Sequence, residues 1–323
     1  MKIFRTLLVL ATVAMTGCAS MGIGSRPLSE LSEHYTNSQS HFVAVDDLVM
    51  HYRDEGHGPV VVLLHGVASS LHTWDGWAQE LKSDYRVIRV DLPAHGLTGV
   101  DPAVDRYNIN YMVDKLDKFM NKLGLGPVAI AGNSLGGYIA WNYALYRPDR
   151  VQKLILLDAA GYPQDMPFIM DFASWPVIGE MSQVMMPRWV VGMNLDLAYG
   201  DNEKVTPALV RRYHDLLLRP GNRKGLVDVF RTMKEQSRNP ELGARVGQII
   251  TPTLLMWGEE DDWVPLSVMD RFRRDLRNAS VITYEGVGHM PMEEIPVQTA
   301  RDARNFLRTG TVFTMPAATA QGH

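Results

Sequence analysis

The chain has 323 residues and a single cysteine, Cys18. A lone cysteine excludes an internal disulfide, so the folded state must depend on its apolar core. The chain also has no excess of positive charge: it contains 32 lysines and arginines and 36 acidic residues, which gives a net charge of −4. Without a basic block, nucleic acid is not expected as a partner. We predict no metal site, because metal-ligand spacing is absent among His34, His41, His57, His214 and His323.

The N-terminal apolar stretch, residues 7–15, is too short to span a membrane in the ordinary way. It follows Lys2 and Arg5, and this order of charge and apolarity is typical of a signal peptide. The stretch ends in Met15-Thr16-Gly17-Cys18, which resembles the cleavage site of bacterial lipoproteins. The resemblance implies a signal peptide over residues 1–18 and a lipid anchor on Cys18. Because alanine rather than aspartate follows the cysteine, it also implies the outer membrane, facing the periplasm. A plain cleaved signal is the alternative.

Hydrophobic residues make up 46% of the chain, which is ample for a large core. Residues 19–40 are rich in serine and glycine, and we predict a flexible tether there. From residue 41, short apolar runs typical of buried strands alternate with segments of helical spacing. The alternation predicts an α/β fold with a mostly parallel sheet and helices on both faces, built from residues 41–160 and 248–308.

Between residues 161 and 247 the alternation stops, and we interpret this segment as a helical cap over the sheet. Its first part is rich in methionine, proline and tryptophan, and two amphipathic helices are predicted at 207–218 and 225–237. Methionine suits irregular apolar surfaces, so Met185 and Met186 are predicted to line a substrate pocket. The alternative is that these methionines only pack the cap on the core. Residues 309–323 are predicted to form a loose tail.

One stretch of the sequence leads from an apolar strand through G-x-S-x-G into a helical pattern. It is Val128-Ala129-Ile130-Ala131-Gly132-Asn133-Ser134-Leu135-Gly136-Gly137. In that context the motif predicts a nucleophile elbow, with the Ser134 hydroxyl held at the end of the strand. Gly132 and Gly136 leave room for the tight turn. The Leu135 N–H, at the helix N-terminus, is expected to point to where an oxyanion forms.

A serine nucleophile needs a base, and the base needs an orienting acid. Asp261 follows an apolar strand predicted at 253–257, and His289 follows another at 280–284. Both thus follow the carboxyl end of a strand, where open α/β sheets place their sites. We predict Ser134 as nucleophile, His289 as base and Asp261 as acid. Asp158, at the end of an earlier strand, and Asp262 remain alternative acids.

These motifs and two further ones resemble those of the α/β-hydrolase superfamily, and the resemblance covers residues 46–307. The further motifs are Leu63-Leu64-His65-Gly66 and Asp91-Leu92-Pro93-Ala94-His95-Gly96. The branch it resembles holds serine esterases and C–C bond hydrolases. The resemblance implies the Val67 N–H as second oxyanion donor. A serine nucleophile argues against the epoxide hydrolases and haloalkane dehalogenases, which use aspartate. One departure is Ala94, where the family more often has glycine. We interpret His65 as ordering its loop through the backbone rather than as catalytic.

The expected function is that of a lipid-anchored serine hydrolase of small or medium apolar carboxylic esters. The reaction proceeds through an acyl-enzyme and needs no cofactor. One alternative is hydrolysis of the C–C bond in vinylogous diketones produced by ring fission. The other is a non-catalytic surface binding protein on a hydrolase fold. The sequence makes no prediction of the oligomeric state.

Overall fold

The computed structural model describes residues 21–311. Eight strands form one sheet in the order β1-β2-β4-β3-β5-β6-β7-β8. Strand β2 runs antiparallel to both of its neighbours, and every other pair is parallel. This confirms the predicted α/β class. The strands are β1 (Ser40–Val45), β2 (Leu48–Glu55), β3 (Val60–Leu64), β4 (Arg86–Val90), β5 (Val128–Asn133), β6 (Val151–Leu157), β7 (Thr253–Gly258) and β8 (Ala279–Tyr284).

The central strands are buried on both faces, which explains their uninterrupted apolar sequences. In β3, the four side chains from Val61 to Leu64 are fully buried. Helices cover the sheet in packed pairs, α3 against α4 and α2 against α12. The helices outside the cap are α1 (Leu28–Tyr35), α2 (Asp75–Leu81), α3 (Ile109–Lys122), α4 (Leu135–Tyr146), α10 (Leu266–Asp275), α11 (Pro291–Glu294) and α12 (Pro296–Thr309).

Five helices between β6 and β7 form the cap. They are α5 (Phe168–Ala173), α6 (Pro176–Val184), α7 (Arg188–Ala198), α8 (Pro207–Leu217) and α9 (Asn222–Ser237). Helices α6 and α8 each begin with proline, whose fixed φ suits the first helical position. The Thr206 side chain caps α8 by accepting a hydrogen bond from the Leu209 N–H at 3.2 Å. A Cβ placed on Gly225 of α9 would lie 2.7 Å from the Ala94 Cβ, so the cap packs closely on the loop after β4.

The segment predicted as a tether, residues 19–40, differs in the structure. Within its described part, α1 packs on the protein and Leu31 is fully buried beside Leu216. The Arg53 guanidinium donates a hydrogen bond to the Tyr35 carbonyl at 3.0 Å. The serine and glycine content concealed a short amphipathic helix whose apolar positions, Leu31 and Tyr35, fall one turn apart.

The membrane-related predictions concern residues outside the described part of the chain. Residues 1–20, with the predicted signal peptide and Cys18, and residues 312–323 of the predicted tail both lie outside it. Within residues 21–311, none of the helices has the length and apolarity to cross a bilayer.

Candidate active site

Ser134 occupies the sharp turn between β5 and α4. Its backbone lies at φ 52° and ψ −115°, a strained conformation for a residue with a side chain. A Cβ on Gly132 would lie 2.3 Å from the Gly136 oxygen, and one on Gly136 would lie 2.1 Å from the Leu64 oxygen. No larger residue fits at either position. The motif therefore has the local geometry expected of a nucleophile elbow.

His289 and Asp261 meet at the same edge of the sheet, in the loops after β8 and β7. The His289 Nδ1 lies 2.8 Å from the Asp261 Oδ2, and both side chains are buried. The other carboxylate oxygen of Asp261 accepts the N–H groups of Trp263 and Val264 at 2.7 and 3.0 Å. An ionised carboxylate only accepts, so the Nδ1–H donates to Asp261. The lone pair of the neutral ring is then on Nε2, as a general base requires.

The loop after β3 lies directly against the nucleophile. A Cβ on Gly66 would lie 3.3 Å from the Ser134 Cβ, and Val67 lines the cavity into which Ser134 opens. Leu135 is the first residue of α4. Within residues 21–311, neither the Val67 nor the Leu135 N–H donates to a protein acceptor. Both donors are therefore available to a developing oxyanion.

His65 orders this loop, as its sequence context predicted. Its Nδ1–H donates to the Gly66 carbonyl at 2.7 Å, and its Nε2 accepts the Leu92 N–H at 3.0 Å. Burial lowers the pKa of His65 below its ordinary value, so the ring stays neutral. With both nitrogens bonded to backbone, it has none left for the reaction.

The two alternative acids differ in their surroundings. Asp262 is exposed, whereas Asp158 is fully buried at the end of β6. The Asp158 Oδ1 accepts the Gly258 N–H at 2.9 Å, and its Oδ2 has no donor within the described chain. One ligand atom from each of Asp158, Asp261 and His289 lies within 4.8 Å of the other two. Burial, with the adjacent Asp261 charge, raises the pKa of Asp158 well above its ordinary value.

Two cavities meet at Ser134 and His289, and both residues line each of them. The larger has a volume of about 300 Å³ and lies under α5, α6 and α7. Met185 and Met186 both line it, where the sequence predicted a pocket. The smaller, of about 50 Å³, lies beside Tyr138 and Met233. Of the described residues lining either cavity, none is aspartate, glutamate, lysine or arginine.

The profile of the family described as alpha/beta hydrolase fold matches residues 59–296. The chain belongs to this family.

Curated relatives of this α/β-hydrolase include enzymes named for two reactions. A Pseudomonas putida 2-hydroxy-6-oxononadienedioate/2-hydroxy-6-oxononatrienedioate hydrolase is 29% identical, over 81% of this chain and 92% of its own length. Human monoacylglycerol lipase ABHD6 is 27% identical, over 78% of this chain and 76% of its own. The solved structure of a bacterial membrane phospholipase A is 26% identical with a TM-score of 0.69, covering 96% of this chain and 99% of the other. The chain is thus a hydrolase enzyme.

Sequence reasoning missed Glu294, which lies five residues after His289 and is buried. Its Oε1 accepts the Gly288 N–H at 2.9 Å, and its Oε2 accepts the Gly200 and Asp201 N–H groups at 3.0 and 3.2 Å. The carboxyl group thus joins the loop of the hydrolase base to the end of cap helix α7. Burial raises the pKa of Glu294, although these three donors oppose the shift. A single glutamate within a short helix carries no sequence pattern that reveals this role.

Trp263 was also missed. Its ring centroid lies 5.2 Å from that of His289, with 33° between the planes, and it lines both cavities. Its indole ring thus packs against the imidazole where the two cavities meet. The only signal in the sequence is its position two residues after the acid.

Proposed function

We propose that this α/β-hydrolase cleaves small or medium carboxylic esters whose acyl group is apolar. The observation that carries the proposal is the junction of two uncharged cavities at Ser134 and His289. A lining without charged side chains suits a neutral, apolar substrate, because a buried charge on the substrate would lack a partner. The names of the lipase and phospholipase relatives support an acyl ester.

In the proposed reaction, the His289 Nε2 takes the Ser134 proton as the hydroxyl oxygen attacks the ester carbonyl. The N–H groups of Val67 and Leu135 hold the oxyanion of the tetrahedral intermediate. His289 then gives its proton to the departing alkoxide, and an acyl-enzyme remains. A water molecule, deprotonated by His289, releases the acid and restores Ser134. Asp261 holds the Nδ1–H tautomer and stabilises the imidazolium. The larger cavity takes the acyl chain, and the smaller one takes the alcohol.

Hydrolysis of a C–C bond is the second candidate, favoured by the Pseudomonas putida relative. The substrates in that relative's name are dioates, so each carries two carboxylates. A carboxylate held out of water requires a cation or several donors, and arginine is the common partner. Because no lysine or arginine lines either cavity within residues 21–311, we favour the ester.

Two measurements test the proposal. A fluorophosphonate probe should label the wild type and not Ser134→Ala, because the probe reacts with an activated serine. The wild type should hydrolyse a series of p-nitrophenyl esters faster than a ring-fission diketone dioate. Faster cleavage of the dioate would favour the C–C hydrolase, and labelling without turnover of either class would contradict both. Absence of labelling would favour the non-catalytic binding protein.

We further propose that Cys18 carries a lipid that anchors the enzyme to the outer membrane, facing the periplasm. The support is the sequence around Cys18, which resembles the cleavage site of bacterial lipoproteins. A mature lipoprotein carries several acyl chains, and several chains anchor a protein firmly where one chain anchors it only weakly. Metabolic labelling with a palmitate analogue should mark the wild type, and Cys18→Ser should lose the label. Label on the variant, or a fully soluble wild type, would contradict the anchor.

A further inference from the structure

Two successive cap helices present apolar stripes to the outside. On α6, Val177, Met181 and Val184 are 71%, 52% and 65% exposed, at positions i, i+4 and i+7. On α7 the corresponding residues, at i, i+4 and i+8, are Trp189, Met193 and Leu197, with 62%, 46% and 59% exposed. A surface helix normally turns such a stripe toward the core. These six side chains are called the outer cap face below.

The larger cavity opens within the outer cap face. Met181 and Trp189 line that cavity and are also more than half exposed. All other described residues that line it are buried or half-buried. The two residues therefore mark the opening, with one on each stripe. An apolar rim around an opening toward Ser134 is the arrangement expected where an apolar ligand enters.

The described chain begins at the same surface. Ile23 forms a β-bridge with Met185, between α6 and α7, and is itself half exposed. The Arg223 guanidinium fixes the segment by donating to the Gly22 and Gly24 carbonyls, the latter at 2.6 Å. Three residues upstream of the described chain lies Cys18, the proposed site of the lipid. The polypeptide thus joins the cap directly beside its exposed apolar stripes.

Charge contributes little to this surface. Helices α6 and α7 together contain Glu180, Arg188 and Asp196, and Glu180 lies 3.5 Å from Arg231. A partner that binds here must therefore be recognised by apolar contact rather than by charge. We propose that the outer cap face docks on the surface of a lipid bilayer, with its side chains at the headgroup–acyl boundary and the cavity opening toward the lipid. Docking is measured without turnover, so the proposal can fail or hold independently of the ester activity.

The tryptophans provide a direct test on the full chain. Of the seven, Trp175 and Trp189 lie exposed on the cap, and the other five are buried. Phosphatidylcholine vesicles with brominated acyl chains should quench wild-type fluorescence, because bromine acts only at close range. The quenching should disappear in Trp175→Phe/Trp189→Phe, which keeps the apolar surface. If the wild type and this variant bind vesicles and are quenched equally, the proposal is overturned. The lipid on Cys18 alone would then hold the chain on the vesicle.

A matched pair of charge variants gives the second test. Val177→Glu/Met193→Glu places one charge on each stripe, and neither residue lines a cavity. Val49→Glu/Ile250→Glu adds the same charge at exposed apolar positions outside the cap. The first should bind neutral phosphatidylcholine vesicles at least about tenfold more weakly, and the control should bind like the wild type. Turnover of a soluble short-chain ester should be unchanged in both.

The same variants identify the competing occupant, a second copy of this chain. If the outer cap face joins two copies, light scattering should show a wild-type dimer that Val177→Glu/Met193→Glu dissociates. That result, without brominated-lipid quenching, would overturn docking on lipid. Salt supplies a further criterion: binding to neutral vesicles should persist at high ionic strength, and its loss would contradict recognition by apolar contact.

Discussion

The carboxyl group of Asp158 lies beside the carboxylate of Asp261, at the ring of the catalytic-site histidine. Asp261 has a donor on each oxygen, whereas Asp158 has one on Oδ1 alone. Two adjacent buried carboxyl groups do not both ionise readily. Asp261 therefore serves as the ionised partner of His289, and a protonated Asp158 can donate to Asp261 through Oδ2.

This relationship predicts different effects for the two Asp→Asn substitutions. Asp261→Asn should lower kcat by roughly 10³–10⁴-fold, because an amide can stabilise the wrong imidazole tautomer. Asp158→Asn should lower it by about tenfold or less, because the amide N–H replaces the proton on Oδ2. The amide oxygen keeps the Gly258 bond, and asparagine tolerates the positive φ of 45°. Initial rates on a p-nitrophenyl ester provide the measurement, and the reverse ranking would identify Asp158 as the acid.

The raised pKa of Asp158 predicts how stability changes with pH. Above the ordinary carboxyl pKa of about 3.9, the unfolded chain loses this proton while the folded chain keeps it. The contribution of Asp158 to stability is thus complete below that pH and is lost as pH rises through the folded pKa. Asp158→Asn lacks this loss, so its unfolding free energy relative to wild type should increase with pH. Urea unfolding of both proteins from pH 4 to 8 measures the difference, and a constant difference would show that Asp158 titrates normally.

The methionines of the larger cavity should determine acyl chain length. Replacing Met185 or Met186 with tryptophan reduces the cavity that both side chains line. For each methylene of acyl chain length, the ratio of kcat/KM values should shift toward the shorter ester by roughly tenfold or more. The reason is that one methylene is worth about 1–3 kcal/mol in an apolar pocket. The measurement is kcat/KM across p-nitrophenyl esters of increasing length, beside the melting temperature. An unchanged profile with a lower melting temperature would mean that these residues only pack the cap.

Glu294 should act as a positioning residue for His289. Glu294→Gln presents one oxygen where the carboxylate had two, so at least one of three buried N–H groups loses its acceptor. We expect a lower kcat with little change in KM, because the loop of the base shifts while the cavities remain. The matched control is Glu293→Gln, whose carboxylate pairs with Arg212 in the cap instead. Equal losses of kcat in both variants would mean that Glu294 only stabilises the fold.

Much of the fold was readable because its signals are local. The strand predicted at 253–257 is β7, one residue longer in the structure, and the predicted elbow lies between β5 and α4. A strand buried on both faces must be apolar throughout, and an elbow must have glycines two residues either side of its serine, so each pattern follows from one element.

The remainder depends on contacts between distant segments. Nothing near Glu294 predicts that it accepts bonds from Gly200 and Asp201, more than ninety residues earlier. Helix α1 was missed because its burial depends on Leu216, in the cap. The positive φ of 69° at Ala94 gives a backbone reason for the glycine that the family resemblance leads us to expect there. Such effects become visible only when the folded chain brings the partners together.

The hydrogen bond from the His289 N–H to the Ala198 carbonyl, 2.7 Å long, limits how the enzyme can open. Ala198 is the last residue of α7, so a lid motion that swings this end away also displaces the base. Closure and catalytic competence are thereby coupled at α7, and a swing of this helix would require His289 to be realigned in each turnover. Helices α5 and α6 border the same cavity without a bond to the histidine loop within residues 21–311. A movement of these two helices would therefore leave the base in place.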